Sequence, residues 1–288
     1  MQSRQRAQPL RWILAALCVL LVLGFAADTI WQLEAPRSPV GNASSSPSTV
    51  TPSASPNATE TPSSDPSHSS SPSTGSNTTE PGAPAGDFTL PEVKDGMVPV
   101  VTKVPTQQKV VFLTIDDGAN KTQQQVELLK AHNIKATLFL AQLFIGENPE
   151  YFKSFLADGS LIENHSISHL LNLIRLPHDK QKQEICQMSD YEEGIYGRKP
   201  VFFRPPGGPY TKSLRKAAAE CGLKALIDWN VEVKAGKVSY QEGNSLQPGD
   251  IVLMHFRPEF PQDFAAFLAA QKKSGLKVVL LEDFLKVR

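Results

Sequence analysis

Four features of this 288-residue chain could do chemistry: the adjacent carboxylates Asp116 and Asp117, the pair His165 and His169, Arg204 ahead of Pro205-Pro206-Gly207-Gly208, and His255 after an apolar run. Histidines four apart lie on one face of a helical turn, which is metal-ligand spacing. Neighbouring strand residues point to opposite sides, so Asp116 and Asp117 can take different jobs. Each feature alone has an ordinary structural reading. Aspartates at a turn cap or solvate it, a histidine pair in loop sequence binds metal in a minority of cases, and a histidine after a strand is a polar strand end. Their joint occurrence, in order and each at a strand's end, carries the case.

The elements that must position them can be read from the pattern. Residues 109–115 are a short apolar run that ends at Asp116-Asp117-Gly118, a buried strand and a turn. Helical spacing follows over 122–132, with Asn133 as a C-cap, then strand over 136–141, helix over 149–157 and strand over 160–163. A long helix after Pro177 carries Ile185, Met188 and Ile195 on one face. Strand at 201–203, helix at 211–221, strands at 224–229 and 250–254, helix at 262–273 and strand at 277–281 complete the series. Strands alternating with helices imply a parallel sheet with helices outside, and about seven such units suggest a barrel, whole or incomplete. In that architecture chemistry sits at the C-terminal ends of the strands, where all four features fall.

Composition divides the chain. Arg4, Arg6 and Arg11 precede an uncharged run over 12–27, so residues 1–34 read as a signal anchor or a cleaved signal peptide with the rest of the chain outside the membrane. Residues 35–87 are Ser, Thr and Pro-rich, too poor in apolar groups to fold, and read as a disordered linker. Residues 88–288 form the folded domain. The expected location is extracytoplasmic, attached to the membrane through residues 1–34, or secreted if that segment is cleaved. With 29 basic and 29 acidic residues and no basic block, nucleic acid is not an expected partner. Cys186 and Cys221 could form a disulfide in an exported domain or stay as two separate buried thiols.

From about Val110 onward the chain resembles the polysaccharide deacetylases with the NodB-type domain, carbohydrate esterase family four. The carrying motifs are Thr114-Ile115-Asp116-Asp117-Gly118, His165-Ser166-Ile167-Ser168-His169, Arg204-Pro205-Pro206-Gly207-Gly208 and Leu253-Met254-His255. The resemblance implies an α/β fold, a distorted (β/α)7 barrel. It also implies that Asp117, His165 and His169 bind a divalent metal, Zn2+ first among the candidates. Asp116 would be the general base, Arg204 its orienting partner, and His255 the acid that protonates the leaving amine. A backbone N–H of the Pro206-Gly207 turn would meet the oxyanion, and Leu253 would line the pocket for the acetyl methyl. The implied substrate is an acetylated polysaccharide, peptidoglycan or a chitin-like glycan, losing N-acetyl or O-acetyl groups.

The fourth motif departs from the family pattern. Lys234-Ala235 fall where Asp-Trp is usual, which leaves Glu232 or Asp228 to support His255. Gly207 also stands where Tyr is common. The alternative function is therefore a tethered carbohydrate-binding protein whose catalysis has decayed.

Overall fold

The computed structural model describes residues 86–288. The strands are β1 (Val100–Val101), β2 (Val110–Asp117), β3 (Thr137–Leu140), β4 (Leu161–Asn164), β5 (Phe202–Phe203), β6 (Ala225–Ile227), β7 (Val231–Lys234), β8 (Lys237–Tyr240), β9 (Ile251–His255) and β10 (Lys277–Val278). The helices are α1 (Gln123–Ala131), α2 (Gln142–Ile145), α3 (Lys153–Ala157), α4 (His178–Tyr196), α5 (Lys212–Glu220), α6 (Phe260–Ser274) and α7 (Leu281–Phe284). The expected anchor or signal at 1–34 and the linker at 35–87 lie outside the described residues, apart from Gly86 and Asp87. No helix among the described residues is long and apolar enough to cross a membrane.

Every residue of β2 is buried, as expected of a strand covered on both faces of a parallel sheet. The sheet runs β1-β6-β5-β4-β3-β2-β9-β7-β8, with β10 alongside the start of β2. All neighbours are parallel except β7 and β8. The two end strands, β1 and β8, do not pair with each other, so the expected (β/α)7 barrel is an α/β half-barrel. The sequence pattern also missed how the chain proceeds after β6. Instead of one strand over 224–229, β6 stops at Ile227 and a β7–β8 hairpin follows. Ala235 and Gly236 at its tip have φ of 50° and 72°, the left-handed pair that a two-residue hairpin turn requires.

Phe112, Phe139, Phe202, Leu281 and Phe284 fill the inside of the half-barrel, so the C-terminal helix plugs it. Outside the sheet, Phe152, Phe155, Phe256, Phe260, Phe264 and Phe267 form a run of packed rings that holds the β9–α6 segment in place. Helices α4 and α5 pack together around Ile185, Leu214 and Ala218. The disulfide between Cys186 and Cys221 joins this pair, with Cα atoms 5.0 Å apart across a separation of 35 residues. Closing a loop of that length removes unfolded-chain entropy worth about 4 kcal/mol.

Among the described residues three glutamates are fully buried: Glu163 on β4, Glu192 on α4 and Glu282 on α7. Glu163 bonds Arg198 and accepts the N–H groups of Val201 and Phe202. Glu282 accepts the Thr137 hydroxyl at 2.8 Å through one oxygen, while its other oxygen and both oxygens of Glu192 lack a partner. One guanidinium cannot neutralise three carboxylates. Burial pushes the Glu192 carboxyl well above its ordinary value and lifts Glu282 from 4.5 to about 8, with the charge of Glu163 adding to both. Below about pH 4.5 folded and unfolded chains both hold the Glu282 proton; between 4.5 and 8 only the folded chain does. Stability should therefore fall as pH rises through that window. Urea unfolding from pH 4.5 to 8.5 should show a decline on the order of 4 kcal/mol. Glu282→Gln should make the decline shallower, with Glu192 still contributing, and an unchanged slope in that variant would reject the assignment.

Candidate active site

The two aspartates end β2, but they do not point to opposite sides as strand alternation suggests. Asp117 has φ 76° and Gly118 φ 83°, so the chain leaves the strand in a left-handed turn and both carboxylates face one histidine. Oδ2 of Asp116 lies 3.7 Å from His165 Nε2, and Oδ1 of Asp117 lies 3.6 Å from the same atom. Gly118 is required there, because a Cβ would meet Ile145 at 2.5 Å and Phe152 at 2.9 Å. His169 Nε2 comes within 3.1 Å of Asp117 Oδ1.

His165 and His169 do not sit on a helical turn either. Ser166 and His169 have φ of 71° and 48°, which a helix excludes, and the two rings meet through a folded loop beyond β4. Asn164 ties that loop down: its carbonyl oxygen accepts Ser166 N–H at 2.9 Å, and its amide donates to Ile185 O and Ser189 Oγ on α4. Ring Nδ1 of His165 is engaged by Arg204 O at 2.6 Å, which turns Nε2 towards the carboxylates. The Phe144 ring lies 5.1 Å from that of His169.

Asp117, His165 and His169 offer ligand atoms that all lie within 4.8 Å of one another. Oδ1 of Asp117 is buried and accepts no hydrogen bond, despite two imidazole nitrogens nearby. Burial pushes this carboxyl up, but the adjacent His165 and His169 outweigh it and hold the group well below the usual carboxylate range. An orphaned carboxylate oxygen facing two nitrogens fits a divalent cation of the kind that accepts mixed N and O ligands.

Arg204 is completely buried and every face of it is used. Its Nε donates to Ile227 O, one terminal nitrogen to Thr114 Oγ1 and Asp116 Oδ1 at 2.7 Å each, and the other to Asp228 O. Its guanidinium lies between the rings of Phe139 and Trp229, at 4.2 and 5.6 Å. Thr114, Phe139, Asn164 and Trp229 are the supports that sequence reasoning missed. Only Thr114 left a signal, as the first letter of its motif. The following loop turns at Pro206-Gly207, closed by Gly208 N–H to Pro205 O, with Gly207 in the left-handed region at φ 72°. The N–H of Gly207 donates to no described residue and is free for a ligand. A Cβ on Gly208 would meet Trp229 at 2.9 Å.

His255 ends β9 beside Asp116 in register, and Leu253, two residues earlier, is buried beside Thr114. Burial pushes the His255 imidazole below the ordinary histidine range, against the opposing pull of Asp116 and Asp117. Neither Glu232 nor Asp228 hydrogen-bonds His255. Glu232 pairs with Leu253 through the β7–β9 register, and the Asp228 carboxyl lies near Arg204 and Asp116, where burial pushes its pKa up. The hairpin tip, where Lys234-Ala235 replace the usual Asp-Trp, leans on α6 through Gly236 N–H to Asp263 at 2.7 Å.

The sequence model of the polysaccharide deacetylase family matches residues 103–226. An uncharacterized protein of Streptomyces coelicolor is 36% identical over 197 residues, covering 65% of this chain and 77% of that protein. A peptidoglycan-N-acetylglucosamine deacetylase of Bacillus cereus is 31% identical over 188 residues, covering 59% of this chain and 67% of the relative. Among solved structures, the chitin deacetylase of Colletotrichum lindemuthianum is similar in fold at a TM-score of 0.57, with 21% identity over 68% of this chain and 93% of that one.

Proposed function

The chain belongs to the polysaccharide deacetylase family, and on that premise we propose that it removes N-acetyl groups from a peptidoglycan-type wall glycan with the help of a divalent metal. The observation that carries this reading is the division of labour between the two aspartates: Arg204 bonds Asp116, while His165 and His169 surround an unpartnered oxygen of Asp117.

Asp117, His165 and His169 would hold the ion, zinc being the best match to two imidazoles and a carboxylate. When bound, such an ion acidifies a coordinated water and polarises the acetyl carbonyl. Asp116 would accept a proton: Arg204 fixes its Oδ1, which leaves Oδ2 directed at the same space as His165 Nε2. The free N–H of Gly207 would donate to the oxyanion. His255 would hand its proton to the departing amine, and Leu253 would line the methyl pocket. The N-terminal pattern of arginines and apolar residues and the Cys186–Cys221 disulfide support an extracytoplasmic site of action.

Acetate release from peptidoglycan, chitooligosaccharides and acetylxylan tests the proposal. Zinc-loaded protein should release acetate from N-acetylated glycan, lose that activity on chelation and regain it with zinc. Release from acetylxylan alone would make the protein an O-acetyl esterase. Retention of glycan without acetate release from any of the three would favour the carbohydrate-binding alternative, which the altered fourth motif supports.

A further inference from the structure

The loop that carries both histidines is held in a shape that regular structure does not favour. Ser166 and His169 have φ of 71° and 48°, left-handed values that non-glycine residues keep only where their surroundings over-determine them. Every amide from His165 to His169 has a partner. His165 N–H donates to Leu140 O at 3.0 Å, Ser166 N–H to Asn164 Oδ1 at 2.9 Å and His169 N–H to Ser166 Oγ at 3.2 Å. The amides between, those of Ile167 and Ser168, both go to Glu184 on α4. The Glu184 backbone carbonyl accepts Ile167 N–H at 3.2 Å. Its carboxylate accepts Ser168 N–H at 2.9 Å through Oε2 and the Ser168 hydroxyl at 2.8 Å through Oε1. Helix α4 is a firm base for this grip, since Asn164 bonds Ile185 and Ser189 on the same helix and Cys186 ties it to α5.

The two histidines differ in how their rings are held. His165 is fixed by its own ring, through Nδ1 to Arg204 O at 2.6 Å. The His169 ring has no such bond to a described residue. It faces Asp117 Oδ1 through Nε2 at 3.1 Å and packs beside Phe144, so its place follows from the backbone that carries it. We propose that Glu184 is a positioning residue of the metal centre, which sets the metal affinity by fixing Ser168 and, through it, the adjoining His169. This rests on the metal-assisted reading of the site, because it takes His169 as a ligand.

Zinc titration of the full-length protein in competition with a chromophoric chelator tests this, with zinc itself as the probe. Glu184→Ala should weaken zinc binding about 10–100-fold, the scale of a change beside a metal ligand, and should shift the visible absorption bands of the cobalt-loaded protein. Glu184→Gln should stay close to wild type in both, because the amide oxygen can accept Ser168 N–H and the amide N–H can donate to Ser168 Oγ. Adding Ser168→Ala to Glu184→Ala should cost little more, since the same contact is then removed from both sides. A purely structural role would lower the stability of the metal-free protein and leave the zinc affinity and cobalt spectrum of the folded molecule unchanged. That result would overturn the proposal, as would a Glu184→Gln variant as weak as Glu184→Ala. If Glu184→Ala does not fold, Ser168→Ala alone decides: a loss of zinc affinity of about 3–10-fold supports the clamp, and wild-type affinity rejects it. Wild-type protein that binds no zinc would refute the metal-assisted reading and this inference with it, a result distinct from zinc binding that is indifferent to Glu184.

Discussion

Asp117→Ala should lose bound zinc and acetate release together, whereas Asp116→Asn should keep zinc and lose turnover alone. Asp117 supplies the only carboxylate of the candidate metal cluster, and its unpartnered oxygen faces both histidines. Its removal leaves two imidazoles, so zinc affinity should fall by more than the ~10–100-fold that changes at supporting residues cost. Asn at 116 is nearly isosteric and its carbonyl can still accept from Arg204, so the scaffold around the histidines should stand. What it cannot do is take a proton, and loss of a general base should lower kcat by roughly 10²–10⁴. Zinc occupancy by elemental analysis after dialysis, read beside kcat, separates the two outcomes. Loss of zinc in Asp116→Asn under the same loading would mean that both carboxylates share the ion.

Arg204→Met should be the most damaging single change to both stability and activity. Methionine can fill part of the space between Phe139 and Trp229, but it leaves Asp116 as a buried anion without its cation, and Thr114 Oγ1 and the carbonyls of Ile227 and Asp228 without their donor. Breaking a buried pair from one side costs about 3–5 kcal/mol. Chemical denaturation should show a loss of that size, and kcat should fall because Asp116 is no longer aimed. Arg204→Lys restores charge without the planar fork and should recover only a fraction of either property. Full stability in Arg204→Met would mean that Asp116 is held by something other than this guanidinium.

Much of this protein is determined by its sequence alone. The apolar run over 109–115 reads as a covered strand because a turn follows it at once, and the repeated strand-then-helix order brings the ends of β2, β4, β5 and β9 to one rim. Asp116, Asp117, His165, His169, Arg204 and His255 could be picked out as candidates because each falls at or just beyond a strand end, which needs no knowledge of distance. Periodicity misled where the backbone leaves regular structure. It implied opposed aspartates and a helical histidine pair, but the left-handed residues Asp117, Ser166 and His169 turn the carboxylates together and fold the histidine loop. Positive φ at non-glycine residues depends on what the surroundings can hold, and no local spacing rule encodes it. The β7–β8 hairpin and the open half-barrel were likewise decided by pairing between distant segments, as was the Cys186–Cys221 link, which sequence left balanced against two free thiols. The supports of Arg204 come from β2, β3, β6 and the segment after β6. Such a cage exists only once those segments are packed side by side, and for the same reason only the tertiary structure shows that Arg204 has every partner it needs.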